Sequence, residues 1–141
     1  MDNILRLLGI AKKAGKLELG EEPVGAVSRA RACSLMLIAQ DATENTVRRA
    51  AHFAQFGNIP RLKVPYTKAE LGQAVGRNSL ALLAVTDVGL AEAIVQKLSA
   101  LYDTAAYHEV AALLAEKTAR MRKRQTEKRI HAKKKRNKET R

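Results

Sequence analysis

Apolar positions recur along this chain with two periods, and the two alternate. Ile4, Leu5, Leu7, Leu8 and Ala11 repeat at helical spacing, which predicts a helix from about Asp2 to Ala14, and Gly15 suits its C-terminal stop. Leu17-Glu18-Leu19 alternates as a short strand does. Gly20-Glu21-Glu22-Pro23 reads as a helix start, because acids favour the positive helix end and proline is tolerated in the first turn. This second helix is expected to reach about Arg31. Cys33 to Ala39 is a nearly continuous apolar run, too short for a helix, and reads as a strand buried on both faces.

Gln40-Asp41-Ala42-Thr43 breaks that run. Thr43 or Asp41 can cap a helix through about Phe56, which Gly57 ends. Pro60 precedes a short strand from Arg61 to Val64. Thr67-Lys68-Ala69-Glu70 has capping-box spacing, so a helix follows to about Val75. Gly76-Arg77-Asn78-Ser79 is a turn, and Leu80 to Val85 another buried strand. Asp87 can cap a helix that continues past Leu98. Strands separated by helices imply an α/β fold, a three-layer α/β/α sandwich with a small mixed sheet.

The globular part is expected to close near residue 100, giving a domain over 1–101 and an extension over 102–141. No Gly or Pro occurs in the 52 residues after Gly89, and Asp103 or Thr104 could start a further helix. Val110, Leu113 and Leu114 form a modest apolar patch, but beyond Lys117 only Met121 and Ile130 remain. With nothing to pack against, the far end of the extension is expected to fray, or to be disordered without a partner.

Charge sharpens this division. The chain has 141 residues and a formal net charge of +12. Residues 117–141 hold 13 Lys+Arg against Glu127 and Glu139, whereas residues 1–116 are nearly neutral with 13 Lys+Arg and 12 acids. A near-neutral globule with a cationic tail points to a polyanion. No stretch is long and apolar enough for a transmembrane helix, Ile130 and Met121 are too sparse for a membrane-inserting face, and Arg6 spoils a secretory signal. The single cysteine, Cys33, fits the reducing cytoplasm and is expected to be an inert core residue.

Several chemistries lack their motifs. The glycine pairs Gly15/Gly20 and Gly20/Gly25 have phosphate-loop spacing but no following Lys-Ser/Thr. His52, His108 and His131 are isolated and have no cysteine pair, so neither a zinc site nor any other cofactor is expected. No acid/base pair suggests an enzyme or a small-molecule substrate. The aromatic sheet motif of RNA-recognition domains and the G-x-x-G clamp are absent, and none of the five aromatics lies in the basic tail. The tail alone should therefore grip phosphates with little sequence preference and strong salt dependence. The start of the second helix is a further anion site on general grounds, where Gly20 would let a phosphate or base approach the backbone.

A family resemblance joins these pieces. Leu8-Gly9-Ile10-Ala11-Lys12-Lys13-Ala14-Gly15-Lys16-Leu17, then Gly20-Glu21-Glu22, resembles the opening of the L7Ae/L30e ribosomal-protein superfamily, more narrowly its bacterial YlxQ-type branch. Ala39 to Thr46 is similar to that branch's strand-to-helix junction, Glu70 to Gly76 to its L-G-x-A-x-G segment, and Ala84 to Asp87 to its closing strand. The match runs from residue 4 to about 100, and the family fold is an α/β/α sandwich. Many members bind RNA kink-turns. The resemblance implies a surface with Gly20 before the recognition helix, followed by Glu21 and Glu22. Val47 would lie against a flipped-out base, Lys68 on a phosphate, and Arg77, Asn78, Ser79 and Leu80 in a specificity loop. Lys12, Lys13 and Lys16 would extend a basic rim. Three positions depart from the pattern: Glu22, Pro23 and Ala26 stand where kink-turn binders use Asn, Glu and Lys. An acid accepts but cannot donate, proline has no side-chain hydrogen bond, and alanine carries no charge. These departures argue against kink-turn specificity and leave RNA binding through the same face as the expectation.

The leading expectation is a cytoplasmic, non-catalytic protein that binds structured or ribosomal RNA and acts with the ribosome. Arg120, Arg122, Lys123, Arg124, Lys128, Arg129, Lys133, Lys134, Lys135 and Arg136 would add phosphate contacts. The alternative is a protein-interaction module of the translation or transcription machinery, tethered to nucleic acid by its tail. A DNA-associated role is the weaker third reading, since no helix carries an obvious major-groove reading face.

Overall fold

Ten elements follow the expected order in the computed structural model, which describes residues 2–139. They are α1 (Asn3–Lys13), β1 (Leu17–Leu19), α2 (Glu21–Arg29), β2 (Leu35–Ile38), α3 (Glu44–Ala54), β3 (Arg61–Lys63), α4 (Lys68–Ala74), β4 (Leu82–Val85), α5 (Val88–Leu101) and α6 (Ala105–Glu139). Local chemistry sets most starts. Asp2, Thr43 and Asp87 each accept a backbone N–H of the first turn of α1, α3 and α5, and Thr67 and Glu70 form a reciprocal capping box on α4. Residues 140–141 of the extension lie outside the described residues.

The sheet order is β1-β4-β2-β3, with β4 antiparallel to both neighbours and β2 parallel to β3. Strands β1, β2 and β3 therefore point one way and β4 the other. Their C-terminal ends, together with the start of β4, form one end of the sheet, here the upper end. Side chains alternate across it as the strand period requires. Leu35, Leu37, Leu83 and Val85 join Leu17, Leu19 and Leu62 on one face, against Ile4 and Leu8 of α1, Leu71 of α4, and Ile94 and Leu98 of α5. Met36, Ile38, Leu82 and Ala84 face Val24 of α2 and Ala50 and Phe53 of α3. Both faces are covered by helices, as in an α/β/α sandwich.

Two features differ from the sequence reading. Cys33 precedes β2 rather than lying in it, is half-buried, and its Sγ–H donates to Leu35 O at 3.5 Å. Burial pushes its thiol up to about 11, so it stays protonated and unreactive near neutral pH. The second difference is that packing does not stop at residue 101. Helix α6 turns back along α5: Tyr107 and Leu114 enter the same hydrophobic core, Tyr107 Oη donates to Lys63 O at 2.9 Å, and the Thr118 hydroxyl, also buried, bonds Leu114 O at 2.8 Å. The apolar stripe runs through Tyr107, Val110, Leu114, Thr118 and half-buried Met121. It is narrow and interrupted by a threonine, which is why the patch looks modest in the sequence. From Arg122 to Lys138 every side chain is exposed, yet the helix continues to Glu139, about 52 Å in all.

Candidate RNA interface

The upper end gathers three helix starts and one loop. Strand β1 delivers Gly20 there, whose N–H donates to Leu82 O at 2.9 Å. Gly20 has φ +94, a conformation that disfavours any side chain, and it caps α2 with no side-chain hydrogen bond. A Cβ placed on it would lie 3.9 Å from Arg77 Nη1, so the glycine before α2 and the loop before β4 meet. The sheet makes this contact, because β1 and β4 are neighbours.

Lys68 is brought in by a second link. Its N–H donates to Asp41 Oδ1 at 2.8 Å, and its carbonyl accepts the Leu80 N–H at 3.0 Å. The start of α4, the β2–α3 loop and the end of the specificity loop are thereby tied together. Arg77, Asn78 and Ser79 are exposed, whereas Leu80 is only 4% exposed and belongs to the core. Leu80 therefore anchors the loop in the core. Gly72 lets that loop pack: a Cβ there would come within 2.8 Å of Arg77 O and Ser79 N, both backbone atoms that cannot step aside. Gly72→Ala is expected to displace the loop, lowering stability by about 1–3 kcal/mol in chemical denaturation and weakening RNA binding as well.

The acids of α2 divide. The Glu21 carboxylate accepts the Thr46 hydroxyl at 2.9 Å and pairs with Arg49 Nε at 3.0 Å, so it clamps α2 to α3. Glu22 is exposed and takes no part in that clamp, and Ala26 on the same helix is exposed too. Val47 sits half-buried in a shallow recess with Ala42, Glu44, Arg48 and Lys63. Arg48 and Lys63 are cations that the motif reading overlooked; their only signal was a position in the second turn of α3 and at the end of a strand. Lys12 and Lys13 are exposed and line a groove with Ala74, Val75 and Gly76, just before Arg77. Lys16 is elsewhere. Its carbonyl bonds Thr86 N–H at 2.9 Å, beyond the far end of β4, so β1 separates it from Gly20.

The described residues carry no cluster of three or more His, Cys, Asp or Glu able to hold a metal, and no helix long and apolar enough to cross a membrane. His108 lies 2.8 Å from Asp103 on the surface, and His52 stacks edge-on to Phe56. Tyr66 is buried and donates to Asp2 Oδ2 at 2.6 Å; burial, then that carboxylate, push its hydroxyl far up, so it remains a neutral tether for the start of α1.

The model of the ribosomal protein L7Ae/L30e/S12e/Gadd45 family matches residues 2–95. The chain belongs to this family. Within it the chain falls on the YlxQ branch: it is 33% identical over 92 residues to the RNA-binding protein YlxQ of Bacillus subtilis, covering 65% of this chain and 91% of that one. It is 32% identical over 73 residues to the RNA-binding protein YlxQ of Enterococcus faecium, covering 52% and 70%. A Bacillus halodurans protein of unknown function superposes with a TM-score of 0.62 at 29% identity, over 74% of this chain and all of that one. The Giardia lamblia 15.5kD RNA binding protein shares the fold with a TM-score of 0.55 at 18% identity, over 70% and 87% of the two chains. The family match ends before α6.

Proposed function

We propose that this L7Ae-family protein is a non-catalytic RNA-binding protein whose upper end takes a structured RNA, ribosomal RNA included, while α6 adds phosphate contacts of its own. The carrying observation is the meeting of Gly20, Lys68 and Arg77 at one end of the sheet, through Leu82, Asp41 and Leu80. Gly20 leaves a backbone surface open, and Lys68 and Arg77 supply charge beside it. Arg48 and Lys63 extend the basic rim around Val47. Glu22, Pro23 and Ala26 present no donor that would read a sheared G·A pair, so selectivity here comes from RNA shape rather than that code.

The test is a titration of the full chain and of a chain ending at residue 121 against a kink-turn hairpin and a plain RNA duplex, at about 50 and about 200 mM salt, a span over which phosphate binding changes steeply. The cut falls at 121 because Thr118 and Met121 still pack on the globule. Removing the exposed part of α6 is expected to weaken binding to both RNAs, the plain duplex most. The log–log salt slope should fall by about 0.9 for every phosphate that the tail no longer neutralises. The shortened chain should keep its preference for the structured hairpin. Equal slopes with and without the tail would exclude a phosphate role for it, and disappearance of all shape preference would remove the upper end as the reading face.

The protein-interaction alternative draws on one observation. Ile10 is 64% exposed on the α1–α4 groove, beside Leu5 and Gly9. That groove would be the docking face if RNA binding proved indifferent to Lys68 and Arg77.

A further inference from the structure

We propose that the cleft between α6 and the α2–β2 turn is a second RNA-backbone site, at the opposite end of the sheet from Gly20, and that the protein holds two RNA segments at once. The second half of this proposal rests on the RNA-binding reading of the upper end; the cleft itself does not.

The cleft arises from two segments far apart in sequence. Helix α6 starts at the upper end, where Tyr107 bonds Lys63, and descends alongside α5. By Lys117 it has reached the lower end, where Arg31, Cys33, Ser34, Gly57 and Val88 lie. Ser34 N–H donates to Val85 O at 2.8 Å, which fixes this wall at the end of β4 away from Gly20. Lys117, Arg120, Met121 and Arg124 have the i, i+3, i+4, i+7 spacing of one helix face, and all four line the recess. Arg31 faces them from the globule.

Its chemistry is that of an anion site. The lining includes Arg31, Lys117, Arg120 and Arg124 and no carboxylate. Of the acids beside it in sequence, Glu116 pairs on the surface with one lining cation, Arg120, at 3.7 Å, and Asp87 caps α5 by accepting the Leu90 N–H at 2.9 Å. The other three cations have no ion-pair partner among the described residues, and Arg31 and Arg124 are exposed. Arg31 also occupies a left-handed backbone position, φ 57, that glycine or asparagine would fill more easily. The turn is held there by Arg31 N–H to Ser28 O at 3.1 Å and Ala32 N–H to Val27 O at 2.8 Å, so its arginine is placed on a fixed mount. Below the cleft α6 runs on with exposed cations such as Lys128 and Arg129, tracking away from the body. A repeating phosphodiester suits such a continuous line better than a single free phosphate does.

Position makes the site additional to the first. The two lie at opposite ends of β4, and the cationic helix leads away from Gly20, Lys68 and Arg77. A segment bound along α6 leaves the upper end open to another.

A bridging assay tests this with full-length protein. A kink-turn hairpin is immobilised, and capture of a fluorescent plain RNA duplex, roughly two helical turns long, is read as protein is added. Wild type is expected to capture the duplex on the hairpin. Arg31→Glu should cut duplex capture about tenfold and lower the salt slope for duplex by about 0.9, with hairpin affinity changed less than twofold. Arg31→Gln, which removes charge without reversing it, should fall between and guards against a folding defect. The Lys68→Glu/Arg77→Glu variant should lose the hairpin and keep the duplex. Duplex binding untouched by both Arg31 variants would overturn the cleft. Duplex that displaces the hairpin instead of joining it would overturn the two-segment arrangement. If wild type ignores the hairpin, the reading of the upper end fails, and the Arg31 variants against duplex still decide the cleft.

Discussion

Exchanging Lys68 and Arg77 together for glutamate is expected to lower affinity for a structured RNA by about a hundredfold at moderate salt. The exchange removes two charge-assisted hydrogen bonds to phosphate, each about 1.5 kcal/mol or more, and every 1.4 kcal/mol or so is tenfold in affinity. Repulsion from the new acids adds to this. The variant should fold normally, because what Lys68 contributes to the structure is its backbone: the N–H bonded to Asp41 and the carbonyl bonded to Leu80 both survive substitution. Arg77 likewise anchors through its N–H, which donates to Gly72 O at 2.8 Å, while its side chain is exposed. An unchanged melting temperature with a collapsed affinity would place the RNA on the upper end. An unchanged affinity would move recognition elsewhere and turn attention to a protein partner at the α1–α4 groove.

Truncating Leu114 to alanine should destabilise the protein by about 2–5 kcal/mol, the range for deleting a fully buried leucine side chain. Leu114 is 0% exposed and lies in the main core although it belongs to α6. The neighbouring Leu113→Ala, at 37% exposure, is the control and should cost much less. Urea denaturation of the two variants reads the difference directly. A large effect at 114 alone means that α6 folds as part of the globule as far as Thr118. Near-equal, small effects would mean that the helix is an appendage, and the cleft with Arg31 would lose its second wall.

Much of the architecture is legible in the chain because its determinants are local. A cap sits three residues from the N–H it satisfies, as Asp2 does with Leu5 and Thr67 with Glu70. Alternating or continuous apolar runs mark β1, β2 and β4 without reference to anything distant. The candidate interface was legible in part, through Gly20, Lys68 and Arg77, whose types and spacing resemble a family pattern. Their partners were not. Thr46 and Arg49, which engage the Glu21 carboxylate, are on another helix, and nothing beside Glu21 announces them.

The extension shows the same division. Its charge, its length and its freedom from helix breakers are sequence properties, but they left the far end expected to fray, whereas the helix runs on to Glu139. Whether that helix joins the core depended on a sparse stripe, Tyr107, Val110, Leu114 and Thr118, finding a matching face on α5 and a carbonyl at Lys63. The direction in which its charge points, and the meeting of Arg31 with Lys117, followed from that packing. Periodicity and caps act over a few residues, so the sequence by itself determined the elements, their order and the sign of the tail. Long-range burial and hydrogen bonding act through the folded chain, so only the tertiary structure decided which charged groups share a surface.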